Sequence, residues 1–164
     1  MDNLQKVEDS STQVNEMVNL ILGDSLNELD TYMERIRGVF VNNQEILDQD
    51  LNRIILEIPV YIYNLIVLMQ QIEMKKGLSK EHAKYAQNEA MLNATGTVAD
   101  KTAKAENATV QDRVTMAAYN MASSIVTKKV EGAMAILDSA KKVQQARSKE
   151  KALTAAATNA VGSF

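Results

Sequence analysis

Two groups of basic side chains are the residues whose types and spacing could do chemistry. The first basic cluster contains Lys75, Lys76, Lys80 and Lys84, with Tyr85 beside them. Lys80 and Lys84 are four residues apart, which places both on one face of a helix. Cations that neutralise phosphates and rings on which bases stack are what single-stranded nucleic acid requires. The first basic cluster is therefore a candidate nucleic-acid site.

A second basic group near the end of the chain contains Lys141, Lys142, Arg147, Lys149 and Lys151, opposed only by Glu150; together with Lys128 and Lys129, earlier in the chain, it is called the second basic cluster. We predict nucleic-acid contacts for Lys128, Lys129, Lys141 and Lys142. Cations near the C-terminal end of a helix also stabilise the helix macrodipole, so a purely structural role for the cluster is an open alternative. In a ring or filament each cluster would repeat and form a continuous basic track.

Charge is unevenly distributed along the 164 residues, although the net charge is only −3. Residues 1–60 carry 12 acidic and 4 basic side chains (−8), and residues 61–164 carry 9 acidic and 14 basic ones (+5). This division indicates an anionic partner for the second half, or contact between oppositely charged halves of neighbouring copies. Ordinary solvated helix faces are the third interpretation.

Residues that could support catalysis are few. The chain has no Cys, which excludes disulfides and thiolate chemistry, and His82 is its one histidine, with only Glu81 and Glu89 as nearby acids. Asp48 and Asp50 resemble solvated surface carboxylates. No phosphate-binding glycine loop, nucleophile elbow or zinc spacing occurs. We therefore expect no enzyme activity, cofactor, metal or small-molecule substrate.

The apolar residues recur at helical spacing along most of the chain, so helices must position these side chains. Residues 109–151 predict one helix of roughly 60 Å, with Thr109 as N-cap and Asp112 as its capping-box partner. Earlier helices are expected from residue 10 to Gly23, after Ser25, and over residues 46–58. These elements predict an all-α fold of antiparallel helices with one long C-terminal helix, as a bundle or coiled coil completed by oligomerisation.

Residues 54–69 form the most hydrophobic stretch of the chain. Pro59 is expected to break or kink its helix, and because the following residues are apolar on all sides, they predict a central core helix or a subunit interface. Glu57, Pro59 and Asn64 argue against a membrane span, although membrane perturbation is a third functional possibility. The predicted oligomer-interface residues are Ile55, Ile58, Tyr61, Leu65, Leu68, Val114, Met121, Ile125 and Leu137.

The remaining segments predict three regions. Gly77 is expected to end a helix and Ser79 to start another, and residues 98–108 predict a frayed helix or flexible connection. This divides the chain into an acidic apolar part (1–76), a basic helical hairpin (77–151) and a flexible tail (152–164). The acidic, polar N-terminus does not resemble a signal peptide, so we expect a cytoplasmic protein, in the host cytoplasm if phage-encoded.

The order of these features resembles the phage recombination mediators of the UvsY type. The resemblance covers residues 60–150 and rests on the segment IEMKKGLSKEHAKYAQNEAM, the Asp100-Lys101 pair and the helix containing KKVEGAMAILDSAKKVQQARSKE. It implies an oligomeric ring that carries single-stranded DNA and loads a recombinase, with Lys80, Lys84 and Tyr85 at matching positions. The paired aromatics of that family are reduced here to Tyr85.

Two functions are therefore expected from the sequence. The first is a non-enzymatic, homo-oligomeric, single-stranded DNA-binding protein that acts as a recombination or replication mediator, with a partner protein. The alternative is a phage-type virion, scaffold or filament protein that assembles through its long amphipathic helices and would be found in the virion.

Overall fold

The computed structural model describes the backbone of residues 3–41 and 46–161 and the side chains of residues 8–39 and 46–158. Within these ranges the chain forms helices only: α1 (Asn3–Leu22), α2 (Asn27–Val41), α3 (Asp48–Asn93), α4 (Val98–Ala108) and α5 (Val110–Val161). The predicted all-α fold with a long C-terminal helix is confirmed.

The ends of α1 and α2 agree only in part with the prediction. Gly23 has a φ of +48°, a left-handed conformation that ends α1 as expected. α1 nevertheless begins at Asn3, ahead of the predicted cap, and the Thr12 hydroxyl donates to the Glu8 carbonyl inside the helix. α2 begins at Asn27, two residues after Ser25. The turn predicted at residues 42–43 lies outside the described residues.

α3 runs for 46 residues without the breaks predicted at Pro59 and Gly77. Pro59 is exposed, so water can bond the Ile55 carbonyl that lacks its usual donor. A helical glycine costs only about 1 kcal/mol relative to alanine. Buried or half-buried side chains recur on one face of α3 past both Pro59 and Gly77. The stability gained from this continuous packing outweighs the cost of the proline and of the glycine.

The segment after α3 is more ordered than the sequence indicates. Thr97 and Asp100 form a reciprocal capping box at the start of α4, and Ala105 is buried. Thr109 is the C-cap of α4, and its hydroxyl donates to the Glu106 carbonyl instead of capping α5. The prediction of a frayed connection is therefore wrong. α5 does begin directly after Thr109, whose carbonyl accepts a hydrogen bond from the Arg113 N–H, but the predicted side-chain cap and its capping box with Asp112 are not formed.

α5 extends through Val161, so residues 152–161 continue the helix rather than forming a separate flexible tail. The side chains of residues 152–158 are all exposed. The hydroxyls of Thr154 and Thr158 donate to carbonyls one turn earlier, which keeps these polar groups satisfied along the helix.

The chain forms two compact units, each from two separate segments. Unit 1 comprises residues 1–26 and 65–128, and unit 2 comprises residues 27–64 and 129–164. The boundary predicted at residue 76 instead falls inside α3. The core side chains of unit 1 are Val18, Leu22, Leu26, Leu65, Ile72, Ala94, Ala105, Val114, Ala118, Ala122 and Val126.

Within each unit α3 and α5 pack antiparallel. In unit 1, Ser123 donates to Glu73 and His82 contacts Asp112, so residue numbers fall along α5 as they rise along α3. In unit 2 the same direction is set by contacts of Asp48 and Asn52 with the later part of α5. The unit 2 core contains Leu29, Tyr32, Ile36, Leu51, Ile54, Ile58, Ile62, Ala133, Leu137 and Ala140.

Candidate nucleic-acid interface

Two lysines of the first basic cluster are neutralised by glutamates of their own helix. The Lys76 ammonium lies 3.2 Å from a Glu73 carboxylate oxygen, and the Lys84 ammonium lies 2.6 Å from Glu81. For Lys75 and Lys80, no carboxylate among the side chains described here lies within 4.0 Å. The structure thus separates four apparently equivalent lysines into two that are paired and two whose charge faces solvent.

Tyr85 does not share a face with the Lys80–Lys84 pair. One residue of an α-helix turns by about 100°, so Tyr85 points about 100° away from Lys84. Its side chain is 75% exposed and lies in line with the apolar side chains of Met74 and Leu78. The predicted combination of two lysines beside a stacking ring is therefore not formed on one side of α3.

His82 has an acidic neighbour that the sequence did not indicate. Its Nδ1 atom lies 3.0 Å from an Asp112 carboxylate oxygen, which joins α3 to the first turn of α5 in unit 1. The imidazole is 75% exposed. Thirty residues separate the two, so only the folded helix pair reveals the contact. In the part of the chain the structure describes, no group of three His, Asp or Glu side chains could hold a metal ion.

Three cations of the second basic cluster pair with acidic residues of the first half of the same chain. Lys129 bonds Asp30, while Arg147 and Lys151 both bond Asp48. All these contacts lie within unit 2. Some of the oppositely charged side chains of the two halves therefore pair within one molecule, and these pairs join α5 to α2 and α3.

The rest of the second basic cluster projects charge outward. Lys128, Lys141 and Lys142 are exposed, and within the described ranges no carboxylate approaches them to 4.0 Å. Eight lysines and Tyr85 are predicted to contact nucleic acid. Together with Lys75 and Lys80, these three exposed lysines make up the five unpaired lysines.

Ionisation of several side chains follows from these contacts. Hydrogen bonds from Lys151 and Arg147 lower the pKa of Asp48. Hydrogen bonds from Lys76 and Ser123 likewise lower the pKa of Glu73. Burial, followed by a hydrogen bond with Glu57, raises the pKa of Tyr32 to about 12. These shifts belong to residues that join helices, not to a group poised for proton transfer.

An apolar cavity of about 500 Å³ lies in unit 2 between α2, α3 and α5, with Ile36, Ile54 and Val143 in its wall. Its charged lining residues, Glu34 and Arg37, are 3.5 Å apart and exposed. No convergent set of polar groups lines it, and it therefore has the character of a packing gap at the edge of the core.

The predicted interface residues fall into two groups. Ile58, Leu65, Val114 and Leu137 are buried by the chain itself, at 9% exposure or less, and offer little surface to a neighbouring copy. We correct the prediction for these four, because the core of each unit accounts for their hydrophobicity. The other five keep some surface: Ile55, Tyr61, Leu68 and Ile125 are half-buried and Met121 is 43% exposed.

Sequence reasoning missed a second apolar line on α3, on the side opposite the buried one. Its exposed members are Leu56, Val60 and Tyr63 in unit 2, and Val67, Met74, Leu78, Tyr85 and Leu92 in unit 1. The signal was present, because residues 54–69 are apolar on all sides. The sequence predicts a core helix or a subunit interface for this stretch, and within the single chain one side of it is buried.

α3 is also the one helix, among the residues searched, that is long and apolar enough to cross a membrane by length and composition. Soluble core helices meet the same criterion, yet only 28% of this apolar window is buried. The low figure reflects the exposed apolar line of the helix.

Comparison with known proteins identifies no relative: no family model matches the chain, and no curated protein sequence or solved structure is detectably similar to it.

Proposed function

We propose that this protein is a non-enzymatic, self-associating protein that binds single-stranded DNA through exposed lysines, in the role of a recombination or replication mediator. The observation that carries the proposal is the set of five unpaired lysines on α3 and α5. Each is an exposed cation that gains a counter-charge when it meets a phosphate. The mediator role follows from the resemblance of residues 60–150 to UvsY-type proteins.

Pairing decides which lysines are assigned to the DNA. A lysine already held by a carboxylate must give up that contact before it binds a phosphate, whereas an unpaired lysine releases only its solvent and counterions. Lys75, Lys80, Lys128, Lys141 and Lys142 are therefore assigned to DNA, and Lys76, Lys84 and Lys129 to the fold.

The test is fluorescence anisotropy of a labelled single-stranded oligonucleotide at several salt concentrations. Lys75→Gln combined with Lys141→Gln should weaken binding and reduce the slope of log affinity against log salt by about 0.7 for each lysine removed. Both residues are exposed, so the variant should fold normally. No binding by the natural protein at low salt would remove the proposal.

Lys84→Gln is the matched control. It removes the same charge from α3, but at a lysine that is 2.6 Å from Glu81. We expect a smaller loss of affinity and almost no change in salt slope. Equal effects of Lys80→Gln and Lys84→Gln would contradict the assignment by pairing.

A structural protein of a virion, scaffold or filament is the second candidate, and the exposed apolar line of α3 favours it. Such a protein would assemble without nucleic acid, through that line and the exposed end of α5. Sedimentation and electron microscopy of DNA-free protein separate the two functions. Long filaments that form without DNA, and an affinity for oligonucleotides that does not vary with salt, would support the structural role.

A further inference from the structure

A groove of about 510 Å³ runs between α2 and α3 in unit 2. Its lining side chains are aromatic, charged or polar: Asn27, Glu28, Thr31, Tyr32, Arg35, Arg53, Glu57 and Tyr61. A second cavity continues along α2 beyond Arg35 and is lined by earlier residues of α3, Ile46 and Asp50 among them. The two helices are therefore antiparallel, and the groove has Tyr61 at one end and Arg35 with Arg53 at the other.

Arg35 is a cation of this groove whose charge is not used by an ion pair. The Arg53 guanidinium donates to Glu57 at 2.7 Å, and the Tyr32 hydroxyl donates to the same carboxylate. Arg35 is exposed, and among the described side chains no carboxylate lies within 4.0 Å of it. The criterion that assigns unpaired lysines to phosphates therefore also selects Arg35.

Tyr61 places an aromatic ring at the other end of the groove. Its ring centroid lies 5.3 Å from that of Tyr32, with an angle of 37° between the ring planes. Tyr32 is 6% exposed and belongs to the unit 2 core, so it fixes the position of its neighbour. Tyr61 is half-buried and keeps part of its surface on the groove. A fixed, partly exposed ring is a platform on which any nucleobase can stack.

We propose that this groove holds one nucleotide of the single strand, with its base on the Tyr61 ring and its phosphate on the Arg35 guanidinium. The proposal rests on the proposed function and adds a stacking contact, which the five unpaired lysines do not supply. Residues 28 and 35 of α2 are about 10 Å apart along the helix axis. A nucleotide fills that length between its base and its phosphate.

Glu28 determines which end of the groove takes the phosphate. It is exposed and lines the groove at the start of α2, at the same end as Tyr61. A carboxylate there repels a phosphate but accepts hydrogen bonds from the N–H groups on the edge of a base. With the base beside Glu28 and the phosphate at Arg35, each part of the nucleotide meets a complementary group.

Stacking and charge have different effects on binding. Loss of a phosphate contact lowers the slope of log affinity against log salt by about 0.7, because fewer counterions are released. Loss of a stacking contact lowers the affinity at every salt concentration and leaves that slope unchanged. Arg35 accordingly adds about 0.7 to the slope expected from the lysines alone.

Tyr61→Leu in the full-length chain tests the stacking contact, by anisotropy of a labelled single-stranded oligonucleotide at several salt concentrations. We expect the affinity to fall at least about fivefold with no change in salt slope, since a stacked base contributes a factor of about 5 to 150. Tyr61→Phe keeps the ring and should bind as the natural chain does. Tyr63→Leu, at a 67% exposed position of α3 outside the groove, is the matched control and should not weaken binding.

Arg35→Gln tests the phosphate contact at an exposed position, where the fold does not depend on the side chain. It should lower the salt slope by about 0.7. Arg37→Gln removes the same charge from α2 at a residue that pairs with Glu34 and lies outside the groove, so it should change the slope less. Equal effects of the two substitutions would contradict the assignment of Arg35.

Photocrosslinking locates the base directly. An oligonucleotide that contains 5-iododeoxyuridine is irradiated with the natural chain, and the crosslinked peptide is identified by mass spectrometry. We expect the crosslink at Tyr61, and crosslinks confined to Tyr85 or to other residues outside the groove would overturn the proposal. Natural affinity in the Tyr61→Leu chain would also overturn it, while continued sensitivity to the lysine substitutions would leave the proposed function intact. A natural chain that binds no oligonucleotide would remove both.

Discussion

Single carboxylates connect distant parts of this chain. Asp48 opens α3 and accepts hydrogen bonds from Arg147 and Lys151, which are about a hundred residues away in α5. These bonds lower the pKa of Asp48, so the folded chain binds that proton less tightly than the unfolded chain. The contribution of Asp48 to stability is therefore full above its ordinary pKa, near about 4, and is lost as the pH falls through the lowered value.

Asp48→Asn should accordingly lower the melting temperature at neutral pH and leave it unchanged in strong acid, where Asp48 is already protonated. Circular dichroism melting across the acid range measures this. Asp50→Asn is the matched control: it removes a carboxylate from the same first turn of α3, but one without these partners. An equal loss for both variants would mean that the macrodipole, and not the ion pairs, accounts for the effect.

Replacement by alanine should lower the stability of the protein at one glycine and raise it at another. Gly96 has a φ of +114°, and a Cβ there would lie 2.8 Å from an Asp100 carboxylate oxygen that completes the α4 capping box. Gly96→Ala should therefore cost about 1 kcal/mol or more. Gly132 lies in α5 with open space around it, and Gly132→Ala should add about 0.5–1 kcal/mol. Urea unfolding of both variants provides the comparison.

Residue types and their local spacing were sufficient to find the lysines but not their partners. The sequence interpretation treated Lys80 and Lys84 as equals, although Glu81 stands three residues before Lys84, and the structure shows that Glu81 holds it. The contact of His82 with Asp112 joins different helices. No sequence spacing reports such a pair, because it depends on the register between α3 and α5.

Small side chains occupy the most deeply buried positions of α5. Ala118, Ala122 and Ala133 are 0% exposed, whereas the buried side chains of α3 are mainly Leu and Ile. Because protein cores are close-packed, such a position leaves no room for a larger side chain.

Ala118→Leu should therefore destabilise the protein by about 1–3 kcal/mol, because the added carbons have to displace a packed neighbour. Ala117→Leu adds the same group to the next residue, which is exposed, and should be close to neutral. Urea unfolding of the two variants measures the difference. Similar stabilities would show that the surroundings of Ala118 are loosely packed.

Periodicity predicted the helices well and their ends poorly. Apolar spacing identified the helical character of nearly every described segment, because a buried face repeats at a period that sequence displays directly. Gly77 and Pro59 were each given too much weight as boundaries, whereas the boundary predicted at Thr109 is confirmed by the start of α5 at Val110. A single proline or glycine contributes about 1–3 kcal/mol locally, and a long packed face can absorb that cost.

At the scale of the whole molecule, each of the two units is built from two separate segments of the chain. Residues 27–64 and 129–164 meet in unit 2, although more than sixty residues separate them in sequence. Composition suggested instead an acidic part followed by a basic part. The difference has a physical cause: apolar side chains from both stretches form the core of unit 2, and the ion pairs of Asp30 with Lys129 and Asp48 with Arg147 join them at its surface.

Internal pairing of the lysines limits the salt dependence that we expect of the proposed DNA binding. If five unpaired lysines contact phosphates, the slope of log affinity against log salt should be roughly −3.5, at about 0.7 for each contact with a single strand. Affinity should then fall about a hundredfold between about 50 and about 200 mM salt. If all eight predicted lysines took part, the slope would be roughly −5.6 and the loss more than about a thousandfold. Anisotropy titrations with a homopolymeric oligonucleotide, too short to hold two proteins, distinguish these values. A slope near zero would mean that the lysines only solvate the helices, and that any DNA contact is made by other groups.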